Sequence, residues 1–115
     1  MGERNVQRVV VVNDRHMVAD EQLGSQLMGS FVRKLCQEER RPDAVVFYGS
    51  GVFLLAENSP VLDALETLSD LGVDLIGCGT CAGYYGIKNK IEIGRISDMR
   101  ELVSVLMAAE SVVTL

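Results

Sequence analysis

Val6-Gln7-Arg8-Val9-Val10-Val11-Val12-Asn13 decides the fold. A strand with one wet face alternates polar and apolar residues, whereas the unbroken Val9–Val12 run needs cover on both faces, as strands of parallel sheets do. Parallel strands are joined by crossovers, so helices should follow, and the rest of the chain supplies them. A helical stretch is expected from about Asp20 to Glu39, with Leu23, Leu27, Phe31 and Leu35 in one lane and Met28, Val32 and Cys36 in the next. Pro42 closes it, and Ala44 to Tyr48 reads as a second strand ending in Gly49-Ser50-Gly51. Ser59 as N-cap and Pro60 at the first helical position open a second helix, with Val61, Leu65 and Leu68 inward and Gly72 as its stop. Val73 to Ile76 is a third strand leading to Cys78, and Ile91 with Ile93 marks a short fourth. Ser97-Asp98 starts a helix carrying Met99, Leu102, Val103 and Leu106 on one face, and Val112 to Leu115 is the last strand. This alternation specifies an α/β fold, a three-layer α/β/α sandwich around a mostly parallel sheet of about five strands with right-handed crossovers. In such sheets the ligand crevice lies at the carboxyl ends of the strands, where Asn13, Gly49-Ser50-Gly51 and Cys78 fall.

With 115 residues and 48% hydrophobic content, the chain reads as a single domain, 1–115, with enough apolar mass for a core. No stretch approaches the roughly 20 apolar residues of a membrane span, and no apolar signal segment opens the chain. A net charge of -5, from 16 acidic and 11 basic residues, disfavours nucleic-acid binding, which depends on clustered Lys and Arg. Nucleotide binding lacks its hardware. The first strand exits into Asn13-Asp14-Arg15-His16-Met17, with no glycine to bring a pyrophosphate onto a helix start, and no Gly-Lys-Ser/Thr run is present.

Chemistry concentrates in Cys78-Gly79-Thr80-Cys81, at a strand-to-helix junction where unpaired N–H groups favour a thiolate. Zinc needs four ligands, and the only others of suitable softness, Cys36 and His16, form no second pair, so no metal is expected. Three cysteines, an odd number, and the absence of a leader point to reduced thiols in a cytoplasm rather than to a structural disulfide. Cys36, one helical turn after Val32, reads as a small core residue. For Cys78 and Cys81 the crowding of Gly77, Gly79 and Gly83 favours a functional reading, since glycines admit backbone or ligand closely. A thioredoxin-like arrangement would need a proline downstream of the pair, and Pro42 and Pro60 both lie upstream.

The run Leu75-Ile76-Gly77-Cys78-Gly79-Thr80-Cys81-Ala82-Gly83-Tyr84-Tyr85-Gly86-Ile87, followed by Ile93-Gly94-Arg95-Ile96-Ser97-Asp98-Met99, resembles the carboxyl-terminal domain of the YedF group in the DsrE/DsrF-like superfamily. The resemblance extends to Phe47-Tyr48-Gly49-Ser50-Gly51-Val52 and to Glu21–Met28, nearly the whole chain. It implies the same layered fold, a persulfide carried at the position of Cys78, and a link to sulfur or selenium metabolism. It also implies a homo-oligomer, a dimer or trimer, and the apolar Phe53-Leu54-Leu55 run points the same way. Full-length YedF proteins begin with a small SirA/TusA-like domain bearing its own cysteine. That domain is not expected here, so donor and acceptor of sulfur or selenium are sought in other proteins or small molecules.

On this reading Cys78 is the most reactive thiol, ionised by the helix start and by Lys88 or Lys90, and holds a persulfide. Cys81 is a resolving thiol. Backbone N–H groups of Gly79, Thr80 and Cys81 steady the anion, with the Thr80 hydroxyl in support. Asn13 and Ser50 are polar contacts at the crevice or turn formers. Of Tyr84 and Tyr85, one packs on the sheet and the other walls the pocket. No cofactor is implied. Two further readings stay open: a thiol-disulfide redox protein, and a non-catalytic oligomeric binding module.

Overall fold

The computed structural model describes residues 7–115, so Val6 lies outside the described residues. Five strands form one sheet in the order β4-β3-β2-β1-β5, every pair parallel. The elements are β1 (Arg8–Val12), α1 (Glu21–Leu35), β2 (Ala44–Phe47), a 3₁₀ helix (Gly49–Leu55), α2 (Leu62–Asp70), β3 (Asp74–Cys78), α3 (Gly79–Tyr84), β4 (Arg95–Ser97), α4 (Met99–Ala108) and β5 (Ser111–Thr114). A second 3₁₀ turn, Lys88–Lys90, joins α3 to β4.

Alternation along the strands sorts the valines onto two faces. Val10, Val12, Val45, Phe47 and Leu75 meet α1, α2 and the first 3₁₀ helix through Met28, Val32, Leu65, Leu68 and Leu55. Val9, Val11, Ala44, Val46, Ile76 and Cys78 face the other way, where α4 supplies Leu102 and Val105. The unbroken valine run therefore does what it promised: both of its faces are dry. Among the described residues a single ten-residue helix covers the second face, which makes α4 the thin wall of the sandwich.

Several expected boundaries move, each for a local reason. Helix α1 ends at Leu35 rather than Glu39, and the lane that packs is Gly24, Met28 and Val32. Leu23 and Leu27 stay 49% and 37% exposed, because the helix turns its neighbouring lane to the sheet. Helix α2 begins at Leu62 with Val61 as cap, two residues after Pro60. Ser59 Oγ accepts the Val61 N–H at 3.3 Å, so it builds a turn before the helix and does not cap it. Ile91 and Ile93 are not the fourth strand. Ile91 makes one antiparallel bridge to Ala56, and the N–H groups of Glu92 and Ile93 both donate to the Leu55 carbonyl. Gly94, with φ of 78°, then turns the chain onto β3, where a Cβ would sit 2.7 Å from the Leu75 carbonyl, and β4 follows. Asp98 caps α4 as expected, accepting from Glu101 N–H at 3.0 Å, but Met99 and Val103 face outward while Leu102 and Val105 are buried. Leu54 and Leu55 are core residues of this same chain, so they are no exposed surplus for self-association.

Arg95 ties edge strand β4 down. Its guanidinium meets Asp74 Oδ2 at 2.9 Å and Glu101 Oε1 at 2.7 Å, and the Ser97 hydroxyl donates to the same Glu101 carboxylate. Glu101 first and Asp74 second hold the guanidinium in its charged form.

Truncating Leu102 to Ala removes the centre of the one helix on the second face and is expected to cost about 3 kcal/mol, measured by urea unfolding. A loss under about 1 kcal/mol would show that α4 is not the essential cover.

Candidate functional site

Strand β2 pairs with β3 so that Phe47 stands opposite Gly77, and β3 pairs with β4 so that Cys78 stands opposite Ser97. The next residues past β2 and β3 therefore emerge side by side at the carboxyl edge. Cys78 caps α3: its Sγ accepts the Cys81 N–H at 3.5 Å. Cys81 Sγ in turn accepts the Gly49 N–H at 3.1 Å. Gly49 reaches that position only because the chain leaves β2 with φ of 52°, the left-handed region, where a Cβ would lie 2.8 Å from the Asn13 carbonyl. The ends of β2 and β3 thus meet at two sulfurs, with the Asn13 carbonyl at the end of β1 against Gly49.

The two thiols differ in exposure. Cys78 is 3% exposed and Cys81 half-buried. Burial pushes the Cys81 thiol up, the adjacent Cys78 thiol adds to the rise, and the Gly49 N–H acts against both. Cys81 is therefore a protonated thiol near neutral pH. The expectation that Cys78 would be the most reactive thiol meets its burial, which shields it from small reagents. Cys36 is the packing residue the sequence suggested: its thiol donates to the Val32 and Ala64 carbonyls at 3.4 and 3.3 Å, joining α1 to α2, and burial raises it as well.

The other expected residues separate. Of the three N–H groups expected around the Cys78 sulfur, that of Cys81 reaches it. Gly79 packs against the end of β4, where a Cβ would stand 3.1 Å from the Ser97 carbonyl, and Thr80 is exposed. Ser50 faces away from the sulfurs: its hydroxyl donates to Asp14 Oδ1 at 2.7 Å and accepts from the Arg15 N–H at 3.1 Å, tying the β1–α1 loop to the 3₁₀ helix. That hydrogen bond holds the Asp14 carboxyl below its ordinary range. Asn13 is exposed, and its backbone carbonyl, not its side chain, abuts Gly49. Neither tyrosine of the Tyr84-Tyr85 pair packs on the sheet. Tyr85 leans on Phe53 with ring centroids 4.8 Å apart, Tyr84 meets Tyr85 edge-on at 5.1 Å and is 83% exposed, and the Arg15 guanidinium covers Phe53 at 4.6 Å. Lys88 lies along Gly83 at the far end of α3, and Lys90 lines a cleft of about 300 Å³ with Arg15, Phe53, Pro60 and Ile87. Neither lysine is hydrogen-bonded to a sulfur among the described residues. Among those residues no cluster of three or more His, Cys, Asp or Glu side chains is placed to hold a metal ion, and no helix is long and apolar enough to cross a membrane.

One residue of the site carries no role in the sequence reading. Tyr48 follows β2 directly and packs on the α4 side with Cys78 and Cys81, and burial, then Cys78 and Cys81, raise its phenol. Its signal was the alternation of β2, which places residue 48 on the face of Ala44 and Val46; the register of β2 against β3 was needed to see its neighbour.

A family model described as DsrE/DsrF-like matches residues 16–115. The chain belongs to the DsrE/DsrF-like family. Solved structures agree in fold with this DsrE/DsrF-like chain: the YchN protein from E. coli (TM-score 0.72, 20% identity, 95% of this chain and 99% of that one) and MTH1491 from Methanobacterium thermoautotrophicum, a protein of unknown function (0.69, 22%, 95% and 99%). BT1422 from Bacteroides thetaiotaomicron, a conserved protein also of unknown function, is similar as well (TM-score 0.67, 12% identity, 95% of each chain). No curated protein matches the sequence. At these identities the likeness is one of fold.

Iodoacetamide is expected to modify Cys81 first and Cys78 several-fold more slowly in the folded protein, with rates followed by peptide mass spectrometry. Because the Cys81 pKa is raised, its thiolate appears only as pH climbs past the usual thiol range, so its rate profile should lie at higher pH than that of free cysteine. A profile displaced to lower pH would contradict the burial argument.

Proposed function

We propose that this chain is a sulfur carrier of the YedF type, holding a persulfide on Cys78, with sulfur and selenium as the two possible cargoes. The observation that carries the reading is the chain of contacts from Gly49 N–H to Cys81 Sγ and from Cys81 N–H to Cys78 Sγ at the carboxyl edge of the sheet. Membership of the DsrE/DsrF-like family supports it. In loading, the Cys78 thiolate attacks the outer sulfur of a donor persulfide, the donor S–S bond breaks, and the donor leaves as its thiolate. The product, Cys78–S–SH, is shielded from water by the burial of Cys78, so the donor must dock on the strand ends to reach it. In release without an acceptor, Cys81 first gives up its thiol proton to solvent, the resulting thiolate attacks the Cys78 sulfur, hydrosulfide leaves with the electron pair, and a Cys78–Cys81 disulfide remains for a thiol reductant to open. The same closure makes a thiol-disulfide redox protein the second reading, favoured by the contact between the pair. The setting we propose is cytoplasmic, where both thiols rest reduced.

We also propose a homo-oligomer. Edge strand β5 is exposed along all four residues, with Val112 and Val113 45% and 44% exposed, and Leu23 and Leu27 leave α1 with an uncovered apolar lane. Light scattering at micromolar concentration should give a dimer or trimer, and a monomer would refute this.

Incubation with glutathione persulfide should add the mass of one sulfur to wild type and to Cys81→Ala and leave no lasting adduct on Cys78→Ala. The adduct on Cys81→Ala should outlive that on wild type, since the thiol that expels it is gone. Disulfide formation with no retained sulfur on any variant would favour the redox reading.

A further inference from the structure

Within the protein the Tyr48 hydroxyl rests on a weak acceptor. Its hydrogen bond among the described residues goes to Met99 Sδ at 3.9 Å, and a thioether accepts weakly. The register that sets Phe47 opposite Gly77 sets Tyr48 beside Cys78, and both side chains lie on the α4 side of the sheet. A phenol is several bonds longer than a thiol, so the Tyr48 oxygen stands further from the sheet than Cys78 Sγ, and the resting thiol is not its acceptor. A second sulfur on Cys78 extends that side chain by about 2 Å, one S–S bond, outward from the sheet. Tyr48 keeps its proton there: burial and the negative charge of either cysteine both oppose its ionisation.

We propose that the Tyr48 hydroxyl is the hydrogen-bond donor for the outer sulfur of a persulfide on Cys78, a role that rests on the carrier reading above. No bond is made or broken at the phenol; it exchanges the Met99 thioether for an anionic sulfur, a far stronger acceptor. The resting site and the loaded site then divide their donors. Backbone N–H groups of Gly49 and Cys81 serve the two cysteine sulfurs, and the phenol serves the cargo.

The test loads wild type, Tyr48→Phe and Tyr84→Phe with glutathione persulfide and titrates the outer sulfur by its rate of reaction with monobromobimane across pH. Loss of a donor to the anion raises its pKa, so the midpoint for Tyr48→Phe should rise by about one pH unit, a tenfold effect, while Tyr84→Phe keeps the wild-type midpoint. The unloaded thiols of Tyr48→Phe should alkylate at wild-type rates, which a general loosening of the site would not allow. An unchanged midpoint for Tyr48→Phe overturns the assignment and leaves the carrier reading standing. Failure of wild type to take up sulfur overturns both. Should Tyr48→Phe not fold, Met99→Leu removes the resting acceptor and keeps the donor: a midpoint at or below wild type supports the role, and one raised by about one unit overturns it.

Discussion

The parallel pairing of β2 with β3 is the constraint on which the site depends. Phe47 opposite Gly77 brings the next residues of both strands out together, so that Tyr48 flanks Cys78 and Gly49 arrives over α3. A slip of one residue would turn Tyr48 and Cys78 to opposite faces, because strand side chains alternate. What prevents the slip is burial on both sides: Val45 and Phe47 are locked among α1, α2 and the first 3₁₀ helix, and Ala44 and Val46 under α4. The register is thus set by the core, and the chemistry inherits it.

Sulfur placement follows from the same economy of space. Cys78 fits as the last residue of a central strand because a thiol is small enough for the dry layer under α4 and is tolerated there without a strong partner. Cys81 lies one turn on, packed against both core clusters, and accepts the Gly49 N–H. The site has no cationic side chain hydrogen-bonded to either sulfur among the described residues, so backbone N–H groups and a neutral phenol are its polar equipment. Such an environment suits a sulfur kept quiet until a partner arrives better than one held permanently as a free thiolate.

The edges of the sheet are treated differently. Strand β4 is clamped by Arg95 between Asp74 and Glu101, which closes that edge with charge and keeps Ser97 beside Cys78. Among the described residues strand β5 carries no such guard along its four exposed positions, and it lies beside β1 at the opposite edge of the sheet from the cysteines. An assembly built on β5 would leave the sulfur edge open to a donor.

The sequence by itself determined the fold class and the strand-end position of the cysteine pair. Val9–Val12 could only be a strand buried on both faces, the strand-helix alternation left a parallel α/β sandwich, and Cys78 had to fall at a strand end because the apolar run stops there. Periodicity also marked Val61, Leu65 and Leu68 correctly as core. It could not separate Ile91 and Ile93, apolar residues packed over the sheet's end, from a true fourth strand, since a strand is defined by its partner's hydrogen bonds and Arg95–Ser97 found them. Nor could it choose between adjacent helical lanes in α1, about 100° apart, or between Met99 and Leu102 in α4, about 60° apart, where a modest helix rotation decides what is buried. Burial of Cys78 beside a half-buried Cys81, the turn of Ser50 away from the sulfurs, and the meeting of Tyr48 with Cys78 were decided only by the tertiary structure. Each depends on the register between strands distant in sequence, which no local pattern encodes.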